Sequence, residues 1–101
     1  MKIDIKTKDL EITEYIQKLV QKKLVSKIDR VTKNLTDDEK KATLRLKKRS
    51  RWGFRVNLSM WLPGKHHIFS EEIHKDLQSA LVNLREEVIS QIKEYKEKHN
   101  K

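Results

Sequence analysis

Apolar and polar positions alternate in two different rhythms along this chain, and each change of rhythm marks an element. Over Lys2–Lys6, Ile3 and Ile5 alternate with polar neighbours, the period-two pattern of a short strand with one buried face. Thr13 follows Leu10 and Ile12, and its hydroxyl can accept an early backbone N–H, so it reads as a helix cap. Behind it Ile16, Leu19, Val20, Leu24, Ile28 and Val31 recur at helical spacing and make one apolar stripe, with the lysines mainly off it. Asn34 to Glu39 reads as a connection, with turn chemistry from Thr36, Asp37 and Asp38.

Two strands come next. Ala42, Leu44 and Leu46 alternate with Thr43, Arg45 and Lys47. Phe54, Val56, Leu58, Met60 and Leu62 alternate with Arg55, Asn57, Ser59 and Trp61, the clearest period-two signal in the chain. Lys48 to Gly53 makes a hairpin loop between them. Pro63-Gly64 is a turn that leads into a fourth strand around His67–Glu72. There Ile68, Phe69 and Ile73 do not share one face, so the register is open. From Asp76 a long helix carries Leu77, Leu81, Leu84, Val88, Ile92 and Tyr95 on one stripe, with Glu94 and Lys98 spaced to pair across one turn.

The order is β-α-β-β-β-α. Strands with one apolar face need cover on that face only. The expected fold is therefore an α+β two-layer sandwich, a four-stranded sheet with both helices on one face, forming a single domain over residues 1–101. The other sheet face stays wet and displays Lys2, Lys6, Arg45, Lys47, Arg55 and Trp61.

Composition narrows the function classes. Charged residues make up 39% and apolar ones 36%, yet the apolar positions are periodic, which argues against disorder. No apolar run approaches bilayer length and Met1–Leu10 has no signal-peptide pattern, so the expected compartment is the cytoplasm and no membrane is expected as a partner. The chain has no cysteine, which excludes a disulfide scaffold, a thiolate metal site and a cysteine nucleophile.

The formal charge is +9. A basic domain of this size meets nucleic acid or an anionic membrane surface. From Lys40 to Arg55 run Lys40, Lys41, Arg45, Lys47, Lys48, Arg49, Arg51 and Arg55 with no acidic residue. Thr13 to Lys33 adds Lys18, Lys22, Lys23, Lys27, Arg30 and Lys33 against Glu14 and Asp29. Past Asp76 the charges balance. Lys18 with Lys22, and Lys23 with Lys27, are like-charge pairs one turn apart, each costing a few tenths of a kcal/mol. A solvated helix would interleave glutamates, as the last helix does, so these lysines are better read as facing phosphates, whose neutralisation releases counterions. The hairpin repeats the case, with Trp52 among arginines either stacking on a base or plugging the hairpin end. Trp61 can contact RNA or cover the sheet edge, and covering the edge is the expected job. A basic amphipathic helix can also lie on a membrane, but the sheet uses up the apolar stripe.

Other chemistry is poorly served. His66 and His67 point to opposite faces if they lie on a strand, and no carboxylate stands near them or His74 at a ligand spacing. Glu71 and Glu72 diverge for the same reason, and the only glycines, Gly53 and Gly64, make no phosphate-cradling loop. No enzyme, metal or cofactor is read here.

Several stretches together resemble the ribosome hibernation promoting factors, also called ribosome-associated inhibitors or sigma modulation proteins. Ile5 to Thr13, I-K-T-K-D-L-E-I-T, is similar to the family's opening strand and cap, with Lys8 at its basic position. Lys23-Leu24 and Lys27-Ile28-Asp29-Arg30 resemble its lysine-rich first helix, one residue longer than usual around Val25. Phe54 to Gly64, F-R-V-N-L-S-M-W-L-P-G, resembles the long third strand and its turn. His74 to Leu81 resembles the signature H-E-D-M-Y-x-A-I, and Gln91 to Lys96 the Q-L-x-K-x-K tail. Gln78 in place of tyrosine, Ser90 in place of arginine and Arg85 at a usually apolar position are departures that bear on rRNA contacts of the last helix.

The resemblance implies a domain lodged between head and body of the small ribosomal subunit, blocking mRNA and tRNA by occlusion. It implies rRNA-phosphate contacts for Lys8, Lys23, Lys27, Arg30, Lys93 and Lys96. The charge reading independently adds Lys22, Arg45, Lys47, Arg49, Arg51 and Arg55. Longer members carry a second domain that pairs ribosomes. This chain ends at Lys101, so the expectation is a monomer that does not pair them by itself. Two other readings stay open, a general double-stranded RNA-binding module and a regulatory protein-interaction module. The first places its helix before all three strands, whereas here a strand comes first.

Overall fold

Alternating side chains give the strands one largely apolar face, and the four join into one mixed sheet with the order β1-β2-β3-β4. The computed structural model describes residues 1–99. Its strands are β1 (Lys2–Lys8), β2 (Lys41–Lys48), β3 (Phe54–Leu62) and β4 (His66–His74). β1 runs parallel to β2, and the other pairs are antiparallel. A parallel pair needs a crossover. The segment 14–31 supplies it as α1 (Glu14–Val20), a π-helical turn (Gln21–Val25) and α2 (Ser26–Val31). The chain closes with α3 (Leu77–His99). Residues 100 and 101 of the expected domain lie outside the described residues.

Both helical layers pack on one face of the sheet, as the pattern predicts. Leu44, Leu46, Val56, Leu58, Met60 and Ile68 rise from the strands to meet Leu24 and Ile28 below and Leu81, Leu84, Val88 and Ile92 of α3, all essentially without solvent contact. Each such side chain contributes roughly 1.5–3 kcal/mol by leaving water. The helix starts are as expected: Thr13 Oγ1 accepts from Ile16 N at 3.2 Å, and Asp76 accepts from Ser79 N at 2.7 Å. The expected connection is tighter than a plain loop, a 3-10 turn (Asp37–Glu39) closed by a capping box between Thr36 and Glu39.

The π turn interrupts the first helical segment at Gln21–Val25. A π turn accommodates one residue more than an α-helical turn without ending the helix. Leu24 and its neighbour Val25 are both buried there, and the stripe then resumes at Ile28.

Four expectations are corrected. The fourth strand is longer than His67–Glu72, and its inward residues are Ile68 and Ser70, which leaves Phe69 and Ile73 on the open face. Trp61 covers no edge, because β3 lies between β2 and β4. Lys40 is no part of a basic surface: it is only 4% exposed, and its Nζ donates to Thr32 O at 2.9 Å and lies 3.2 Å from Asp29. Glu94 and Lys98 form no ion pair, whereas Lys18 pairs with Glu14 at 3.2 Å, one turn before Lys22.

Candidate nucleic-acid interface

The face of the sheet that no helix covers is ordered into rows by the strand register. One row reads Lys8, Lys47, Arg55 and Ile73 across the four strands, and the next reads Lys6, Arg45, Asn57 and Glu71. Then come Asp4, Thr43, Ser59 and Phe69, and finally Lys2, Lys41, Trp61 and His67. The first two rows line a shallow basic groove with Glu71 at its far end. Arg55 Nε lies 4.0 Å from Glu71, and Asn57 Nδ2 donates to the same carboxylate at 3.3 Å. Among the described residues, Lys6, Lys8, Arg45 and Lys47 make no ion pair. Like charges therefore stand opposite one another at Lys8 beside Lys47 and Lys6 beside Arg45, while Arg55, opposite Lys47, has the Glu71 carboxylate at 4.0 Å. Directly opposed like charges destabilise a sheet. An anion laid over the rows removes that cost.

The hairpin extends the groove. Arg49 N donates to Gly53 O at 2.9 Å and closes the loop. Gly53 has φ +66°, and a Cβ there would sit 2.2 Å from the His74 carbonyl oxygen. Only glycine fits both the left-handed backbone and that close approach. The loop is thereby pinned against the end of β4, which sets Arg49 beside Lys47 and Arg55. Trp52 is 52% exposed, so it does not plug the hairpin end.

The other basic residues lie elsewhere. Lys22 and Arg30 are exposed on the first helical segment, and Lys23 and Lys27 are half-buried there. Lys93 is exposed on α3, and half-buried Lys96 lines a crevice with Thr32, Asn34 and Tyr95. Arg85 reaches to 3.5 Å from the Lys23 carbonyl, so this departure from the family pattern links α3 to the π turn. The expected site residues thus fall into two groups. Lys8, Arg45, Lys47, Arg49, Arg51 and Arg55 belong to the open sheet face and its hairpin, and Lys22, Lys23, Lys27, Arg30, Lys93 and Lys96 to the helical layer behind it.

Two contributors escaped the sequence reading of the site. Lys6 shares the groove, and its alternation with Lys8 already placed it on that face. The exposed rings of His67 and Phe69 beside Trp61 depended on the register of β4. Glu71 and Glu72 do diverge: Glu72 turns back to Glu87 of α3, whose carboxylate also accepts from Ser70. The hydrogen bond shared with Glu87, aided by burial, raises the Glu72 carboxyl from its ordinary value and lowers that of Glu87. Among the described residues no three His, Cys, Asp or Glu side chains gather as a metal site. No helix among them is long and apolar enough to cross a membrane.

A family model described as sigma 54 modulation protein / S30EA ribosomal protein matches residues 3–100. No curated protein matches the chain. Among solved structures, the crystal structure of the Thermus thermophilus Protein Y N-terminal domain is similar, with a TM-score of 0.76 and 29% sequence identity over 94% of this chain and 99% of that one.

Proposed function

Because the chain belongs to the family of sigma 54 modulation proteins and S30EA ribosomal proteins, we propose that it is a hibernation factor that binds the small ribosomal subunit and inhibits translation by occupying the mRNA/tRNA channel. The observation that carries this reading is the pair of basic rows on the open sheet face, Lys8–Lys47–Arg55 and Lys6–Arg45, in which Arg55 alone has a carboxylate at ion-pair distance among the described residues. Their repulsion is relieved by phosphates laid along the rows. The second basic group, on the helical layer, supports occlusion specifically. A molecule with principal extents of 47 × 22 × 20 Å and positive charge on both broad sides fits between two RNA walls better than against one. The block is steric and uses no catalytic group. The protein acts as a monomer in the cytoplasm, with rRNA phosphates as its contacts at both basic groups.

The test is co-sedimentation with purified small subunits at low salt, together with a cell-free translation assay. The protein should pellet with the subunits, lose them as salt rises, and inhibit synthesis in proportion to occupancy. Failure to pellet at low salt sinks the reading. Tight binding to any bare RNA duplex, with no preference for subunits, supports the double-stranded RNA-binding alternative.

A further inference from the structure

The basic rows occupy one end of the open face, and the other end is aromatic. Trp61 lies on an interior strand and is still 54% exposed. His67 stands opposite it in register, with ring centroids 4.5 Å apart and planes within 24°. Ser59 Oγ lies 2.6 Å from His67 Nε2 and fixes the imidazole. Phe69 is 48% exposed on the same face, 6.5 Å from His67 between centroids. Three rings are therefore held in water on a hydrogen-bonded sheet rather than on a loop, and an aromatic ring left exposed forgoes the free energy of burial.

Charge decides which partner fits. Lys41 is the β2 neighbour of Trp61, and Lys2 the next residue in that row. Phe69 is two residues from Glu71 on β4 and Trp61 four from Asn57 on β3, so the rings lie roughly 7–14 Å from the edge of the basic groove at about 3.4 Å per residue. The whole face carries seven basic side chains against the acids Asp4 and Glu71. Protein interfaces deplete their centres of charge. Surfaces that hold single-stranded nucleic acid instead combine a basic track with rings on which bases stack.

We propose that Trp61, His67 and Phe69 form a stacking platform for unpaired nucleobases of an RNA strand whose phosphates cross the adjoining basic groove. The platform rests on the small-subunit reading only in taking RNA as the ligand. It adds that the open face recognises bases as well as phosphates, and that it takes single strands.

The chain has two tryptophans, so Trp52→Phe leaves Trp61 as the only indole reporter. That variant is titrated with a short single-stranded oligoadenylate and with an abasic strand of equal length. The oligoadenylate should quench Trp61 emission and the abasic strand should not. Trp61→Ala in the wild-type chain should weaken oligoadenylate binding about tenfold and leave the abasic strand unaffected, while Trp61→Tyr keeps most of the affinity. Phe69→Ala provides a second variant, and thermal melts confirm that each is folded. Equal binding of the two strands, or unchanged affinity in both alanine variants, overturns the platform. If the wild type pellets with small subunits but shows no base dependence, the platform fails and the hibernation reading stands. Base-dependent quenching by a protein that does not pellet has the opposite meaning.

Discussion

The open sheet face and the first helical segment are both rich in lysine and arginine, but they hold their charge in different ways. On the sheet, register places Lys47 directly between Lys8 and Arg55, so the stems of like charges rise from adjacent backbone positions. On the helix, Lys22 and Arg30 reach into water on flexible stems, and Lys18 already has Glu14 as a partner. Like charges set opposite one another on a hydrogen-bonded sheet are arranged for a ligand and cost stability in its absence. Charge on solvated stems contributes attraction with little of either. The sheet rows should therefore dominate affinity, and both groups should add to its salt dependence in proportion to the phosphates they meet.

The sharpest way to break this comparison is charge reversal on the sheet. Lys47→Glu with Arg55→Glu should reduce subunit binding at least a hundredfold, measured by co-sedimentation. Lys47→Glu alone should leave the melting midpoint unchanged or raised, since it places a carboxylate between Lys8 and Arg55. A lowered midpoint would show that the rows are not strained. Lys23→Glu with Lys27→Glu on the helix should weaken binding less, and should flatten the dependence of log K on log salt by about 0.7–0.9 per lost phosphate contact. Equal losses from both pairs would erase the proposed difference.

Backbone changes sharpen the comparison further. Gly53→Ala forces a methyl group into the His74 carbonyl at positive φ, and should destabilise the fold by more than about 1 kcal/mol in denaturant titration. It should also cost binding by turning Arg49 away from the groove. Thr13→Ala removes the cap of the first helix and should cost about 1 kcal/mol with binding unchanged, because no basic side chain moves. The smallest effect concerns α3. Hydrogen bonds from the Ser79 backbone and side chain hold Asp76 below the usual carboxylate range. A depressed folded value means that its stabilisation is full above the unfolded carboxylate value and is lost as pH falls through the folded one. Asp76→Ala should therefore lower the melting midpoint slightly at neutral pH, and the gap from wild type should close in acid.

Much of this molecule was legible before any coordinates. Alternation in Phe54–Leu62 and the 3.6-residue stripe from Ile16 are local signals, and they place the elements, the covered face and the Thr13 and Asp76 helix starts. The shared face of Arg45, Lys47 and Arg55 was legible for the same reason, since a period of two sends them to one side once Leu44, Leu46 and Val56 face the other. β4 was harder because Phe69 and Ile73 are apolar and point outward, which blurs its alternation. The fate of Lys40 was hidden because its partners Asp29 and Thr32 lie beyond the local pattern, across the turn that joins α2 to β2.

The sequence alone therefore determined which side chains share a face, because that depends only on the repeat of a strand or helix. Tertiary structure decided which of those faces meet: that β3 is interior, that Trp61 stacks on His67, and that one set of basic residues lies behind the other. Strand order and register are set by contacts between residues far apart in the chain, and no window of neighbouring residues contains them.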